Sequence, residues 1–143
     1  MQKLSEILER KGADILQIDA GATVYEAVER MVKANVGSLL VSEGGQITGI
    51  VTERDYLRRV ALEGRTLKET PVREIMSSPL IVASPETTID QSMALMTDRR
   101  IRHVPVVDDG EVVGVVSIGD LVKAKSEAQS FEIQYLTEYI TAR

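Results

Sequence analysis

GIVTERD, residues Gly49–Asp55, returns 65 positions later as GVVSIGD, residues Gly114–Asp120. In each, an apolar run of strand character ends in a hydroxyl, Thr52 or Ser117, and an acid follows three residues on, Asp55 or Asp120. That spacing marks a strand-to-helix corner. Working outward at the same offset, residues 15–60 align with 80–125 without a gap. Leu16 meets Ile81, Thr23 meets Thr88, Met31 meets Met96, Val41 meets Val106 and Gly45 meets Gly110. Turn glycines and corner residues stay in register together, so the chain contains a duplication.

Each copy reads as strand, helix, hairpin, helix. ILQI (15–18) and LIVA (80–83) are short β-rich runs. Thr23 and Thr88 suit the N-caps of helices whose apolar residues recur at helical spacing: Val24, Val28, Met31 and Val32 in one copy, Ile89, Met93 and Met96 in the other. Two apolar runs follow, joined across Gly44–Gly45 or Asp109–Gly110, dipeptides that suit tight turns with positive φ. The last helices are expected at 54–62 and 119–125. Residues 63–79, polar and carrying two prolines, read as a linker with a short lead-in helix. The division expected is 1–66 for the first repeat with an N-terminal lead-in helix, 67–125 for the second with its linker, and 126–143 for a C-terminal amphipathic helix. Phe131, Tyr135, Leu136, Tyr139 and Ile140 share a face of that last segment. It suits either a helix docked on its own domain or a subunit contact.

Composition narrows the functions. With 43% apolar and 27% charged residues, the chain of 143 residues is that of a folded globular protein. A formal net charge of −5 argues against broad contact with a nucleic-acid backbone. There is no cysteine, hence no disulfide and no thiolate ligand or nucleophile. No run is apolar enough to span a bilayer, and MQKLSEILERKG lacks the apolar centre of a signal peptide, so the expected setting is the cytoplasm.

The corner itself has two readings. A hydroxyl with an acid three residues on is a capping box, which needs no ligand. Against it stand the use of Asp, where the longer Glu is usual, and the recurrence of the pair at the end of a buried-looking strand. A carboxylate beside free helix N–H groups also suits a ribose next to a phosphate, which together make a nucleotide.

The pattern strand–helix–strand–strand–helix closed by G-h-h-[T/S]-x-x-D, run twice, resembles the cystathionine β-synthase (CBS) domain, and the pair resembles the unit called a Bateman module. VREIMSSPLIVASPETTIDQSMALMTDRRIRHVPVVDDGEVVGVVSIGD (72–120) carries the pattern along nearly its whole length, and the resemblance covers about residues 5–125. GIVTERDYLRRVALEGR (49–65) looks like the stand-alone two-repeat proteins, which carry no attached enzyme or transporter. The resemblance implies an α/β fold of two βαββα repeats about a pseudo-twofold axis, with two clefts that bind an adenine nucleotide such as AMP, ADP or ATP. By position, Asp55 and Asp120 would hold ribose hydroxyls, while Thr52 and Ser117 would donate to phosphate. Arg102 and His103 match the family's basic position at the phosphates, and a histidine there would gain a raised pKa. Ile81, Ile101 and Met76 would flank the adenine in the cleft closed by Asp55; Leu16 and Val36 would do so opposite Asp120. The first copy has Gly37 and Ser38 where the second has Arg102 and His103, and Arg54 has Gly119 as its counterpart. The two clefts therefore differ in charge, and the Asp55 side is expected to be the better anion site. Arg99 and Arg100 need only be a helix end complementing its dipole.

Three functions follow. The first is a regulatory nucleotide-sensing module without catalysis, pairing as a homodimer and signalling to an unidentified partner, with magnesium arriving only with ATP. The second is a structural or partner-binding module with empty clefts. The third is a small nucleotide hydrolase, which the inventory disfavours: there is one histidine, no phosphate-binding G-x-x-x-x-G-K-[ST] loop and no metal-ligand cluster. The apolar base contacts do not separate AMP, ADP and ATP from NADH or S-adenosylmethionine.

Overall fold

The structure is a computed structural model that describes residues 2–12 and 15–128. Elements follow in the order α1 (Leu4–Lys11), β1 (Gln17–Asp19), α2 (Val24–Ala34), β2 (Ser38–Glu43), β3 (Gln46–Thr52), α3 (Glu53–Tyr56), α4 (Ile89–Arg99), β4 (His103–Asp108), β5 (Glu111–Ser117) and α5 (Ile118–Ala128). The aromatic-rich segment from residue 129 onward lies outside the described residues. Among those described, no helix is long and apolar enough to cross a membrane.

The chain divides into two compact units. One is continuous, Ile15–Leu80; the other joins Met1–Asp14 to Ile81–Arg143. The continuous unit has a sheet in the order β1-β2-β3, with β1 parallel to β2 and β2 antiparallel to β3. Helix α2 starts where the Thr23 hydroxyl accepts from the Glu26 N–H, and ends at Asn35 in the left-handed region (φ 55°). Its Val24, Ala27 and Met31 bury against Ile18, Leu39, Val41 and Val51. In the two-segment unit, α4 is capped by Thr88 in the same manner, and Ile89 and Met96 bury with Val104, Val106, Val116 and Leu121. Both hairpins turn at the expected dipeptides, with φ of 60° and 81° at Gly44–Gly45 and 51° and 79° at Asp109–Gly110.

Several local expectations shift. Of LIVA only Ala83 pairs, through one parallel bridge to Val106, so this unit has a two-stranded sheet where the other has three strands. The helix expected at 54–62 starts at Glu53 and widens into a π turn over Leu57–Ala61. The lead-in helix of the linker is a single 3₁₀ turn, Val72–Glu74.

The lead-ins show why sequence repeat and compact unit are different divisions of the chain. In the continuous unit the linker completes the core: Thr23 bridges Pro71, Ile50 bridges Ser77, and Val72 and Ile75 are fully buried. In the other unit the N-terminus does the same work. Lys3 bridges Thr88, and Leu4, Ile7 and Leu8 of α1 enter the core. Burying such side chains contributes roughly 1.5–3 kcal/mol each. KLSEIL (3–8) and PVREIM (71–76) match in character at four of six positions, Leu4 with Val72, Glu6 with Glu74, Ile7 with Ile75 and Leu8 with Met76, at an offset of 68 where the rest of the duplication keeps 65. The motif glycines make room for these segments. A Cβ at Gly49 would stand 2.7 Å from Met76 Sδ and 2.8 Å from the Ser77 carbonyl oxygen, and one at Gly114 would stand 2.6 Å from Leu8 Cδ2.

Candidate functional site

Both corners form complete capping boxes. At the first, the Asp55 N–H donates to Thr52 Oγ1 (3.2 Å), while Asp55 Oδ2 accepts from the Thr52 N–H (2.9 Å) and from its hydroxyl (3.1 Å). At the second, the Asp120 N–H donates to Ser117 Oγ (3.2 Å) and Asp120 Oδ2 accepts from the Ser117 N–H (2.8 Å). The use of Asp, where the longer Glu is usual, therefore does not count against the box. The cap residue Thr52 has the extended backbone usual at a helix N-cap, with φ −125° and ψ 165°. The box bonds fall on Oδ2 of each carboxylate, and both residues are half-buried.

The start of each middle strand lies beside its corner. Ser38 pairs with Thr52, and the Gly37 carbonyl accepts from the Glu53 N–H (3.1 Å). Likewise His103 pairs with Ser117, and the Arg102 carbonyl accepts from the Ile118 N–H (2.9 Å). Leu16, Val36, Met76, Thr52, Arg54 and Asp55 thus belong to the continuous unit, and Ile81, Ile101, Arg102, His103, Ser117 and Asp120 to the other. Within its unit the basic pair Arg102–His103 neighbours the Ser117 corner. Leu16, Val36 and Met76 are half-buried against the core of the continuous unit, and Ile101 against that of its counterpart. Arg54 and Arg102 are exposed.

Two residues at these corners carried no motif. Arg59 donates to the carbonyls of Ile75 (3.2 Å) and Met76 (3.4 Å), tying the π turn to the lead-in. Lys11, at the end of α1, donates through Nζ to Asp120 Oδ2 (2.7 Å) and to the Val115 carbonyl (3.0 Å). Burial raises the pKa of Asp120, but the Lys11 ammonium and the Ser117 amide and hydroxyl outweigh it and hold the carboxyl below its ordinary range. The sequence signal for Lys11 was only its place in the last turn of a helix. The match between lead-ins pairs position 11 with Pro79, so the lead-in beside the Asp55 corner carries no lysine at that position.

A groove of about 490 Å³ runs between α2 and α3, walled by Val28, Val32, Val36, Tyr56 and Leu57. Gly37 and Glu53, bonded to each other beside the corner, also line it, so the groove abuts the corner, although Thr52 and Asp55 do not line it. Among the described residues no group of three or more His, Asp or Glu is placed to hold a metal ion.

The family model for the CBS domain matches residues 4–62 and again 72–127. The chain belongs to the CBS domain family. It is 42% identical over 146 residues to the mitochondrial CBS domain-containing protein CBSX3 of Arabidopsis thaliana, covering 96% of this chain and 71% of that one. A solved CBS-domain protein from Burkholderia ambifaria MC40-6 superposes with a TM-score of 0.87 at 42% identity, over 91% of this chain and 98% of that one. The CBS domain pair of the protein MJ0100, described in complex with 5′-methylthioadenosine and S-adenosyl-L-methionine, has a TM-score of 0.78 over 90% of this chain and 99% of that one. At 24% identity, that likeness is one of fold. The two CBS matches begin at the two lead-ins, Leu4 and Val72, and end beyond the two corners.

Proposed function

We propose that this CBS pair is a regulatory module that binds an adenosine nucleotide of the AMP, ADP or ATP class at its hydroxyl–carboxylate corners and catalyses no reaction. The observation that carries the reading is the doubled corner. Each acid is held at one oxygen by its own backbone and is still partly exposed, so it is oriented before a sugar arrives. Such preorganisation lowers the entropic cost of binding. A pair of this fold is described with two adenosyl ligands, which supports the fold's capacity for that class. Thr52 and Ser117 would meet phosphate, Arg54, Arg102 and His103 would supply charge, and Leu16, Val36, Met76, Ile81 and Ile101 would supply apolar contacts to the base. Magnesium enters only with ATP. The module would work as a homodimer that passes its state to an unidentified protein through a change in shape or pairing.

The complete capping boxes favour a second reading, a structural module whose corners only finish helices. Thermal melts with AMP, ATP, NADH and S-adenosylmethionine separate the two, because a ligand specific for the folded state raises the melting temperature. A shift that disappears in Asp55→Ala supports the sensor. No shift with any of the four supports the structural module.

A further inference from the structure

We propose that Lys11 is a built-in competitor for the Ser117–Asp120 corner, so that the two corners bind nucleotide unequally, with the Asp55 corner filling first. This rests on the nucleotide reading above and adds to it an order of occupation and the residue that sets it.

The ammonium of Lys11 is anchored at two points, Asp120 Oδ2 and the Val115 carbonyl. Asp120 Oδ2 thus accepts both the box N–H of Ser117 and a charged donor. A sugar hydroxyl is a neutral donor, and charge-assisted bonds to a carboxylate are roughly twice as strong as neutral ones. A ribose arriving at Asp120 therefore either displaces the ammonium from Oδ2 or bonds to a carboxylate whose charge the ammonium already engages. The lysine comes from α1, whose Leu4, Ile7 and Leu8 are fixed in the core of the same unit. It is accordingly held near the corner when not bonded to it. At the other corner the lead-in offers Pro79 at the matching position, which carries no charge. The bonds that define the Asp55 corner come from Thr52.

The test uses the full chain and AMP as the probe, followed by titration calorimetry. Asp55→Ala removes the first corner, so that remaining binding reports on the second. Adding Lys11→Met to that variant should tighten AMP about three- to fivefold, the range that an ion pair of up to about 1 kcal/mol sets. Adenosine, which lacks the phosphate, should tighten at least as much. Weaker binding on adding Lys11→Met would show the lysine to be a phosphate ligand, and unchanged binding would show it to be a bystander. Either overturns the competitor role while leaving nucleotide binding intact. Binding to the parent chain that Asp55→Ala abolishes, with or without Lys11→Met, removes the second corner from the ligand sites and also overturns it. Absence of AMP binding in the parent chain and every variant would overturn the nucleotide reading itself, and the competitor role with it.

Discussion

Leu8 occupies the space that a side chain at Gly114 would need: a Cβ there would lie 2.6 Å from Leu8 Cδ2. At Gly49 the obstruction is partly backbone, the Ser77 carbonyl oxygen at 2.8 Å. A flexible leucine can turn aside, while a carbonyl paired with Ile50 cannot move without breaking its bridge. Gly114→Ala should therefore destabilise by about 1 kcal/mol, and Gly49→Ala by about 3 kcal/mol, the span typical of overpacking. Urea midpoints measured side by side check the order, and equal costs would contradict it.

Acid sensitivity should trace to Lys11. The folded-state pKa of Asp120 is held below its unfolded value, so its contribution is present above the unfolded value, about 3.9, and is lost as pH falls through the folded one. The lysine is partly exposed, so the contribution is screened and should stay within about 1 kcal/mol. Lys11→Met should lower stability by up to that amount at pH 7, and by less at pH 3, as protonation of Asp120 sets in. Denaturation curves at both values test this; a difference that persists undiminished in acid would assign the cost to lost packing.

Asp55→Asn separates the cap from the proposed ligand contact. The amide oxygen of Asn can still accept from the Thr52 N–H, so stability should stay within about 0.5 kcal/mol of the parent, whereas Thr52→Ala should cost about 1 kcal/mol. AMP affinity should nevertheless fall at least about tenfold in Asp55→Asn, since a charge-assisted bond is lost. Calorimetric titration beside a thermal melt reads both quantities on one sample.

Within the linker, burial should override its polar appearance. Ile75 is fully buried in the core of the continuous unit, so Ile75→Ala should cost roughly 2–5 kcal/mol. Glu69→Ala, at an exposed linker position, should change stability by less than about 0.5 kcal/mol. Chemical denaturation of the two variants is sufficient to compare them.

The duplication, the hairpins and both corners were legible because local chemistry dictates them. Thr23 and Thr88 must cap, Asp109–Gly110 must turn, and Thr52 with Asp55 must close a box wherever the chain goes next. What could not be read locally was pairing at a distance. Lys11 and Asp120 are 109 residues apart, and nothing near either one announces the other. Linker residues such as Val72 and Ile75 were judged by polar neighbours, although their own side chains are core material. The signal was present in the likeness of KLSEIL to PVREIM, but its offset of 68 falls outside the register of 65 that revealed everything else. LIVA failed as a strand for a related reason: β propensity needs a partner edge, and only Ala83 finds one.

The traded lead-ins govern where this chain can be cut. Scissors placed between residues 66 and 67 would respect the ancestral gene copies and still orphan each half from its keystone, leaving two open apolar wounds prone to clumping. A fragment spanning 15–80 carries every piece of its own core. For anyone borrowing half of this protein as a building block, the seam lies at those two positions.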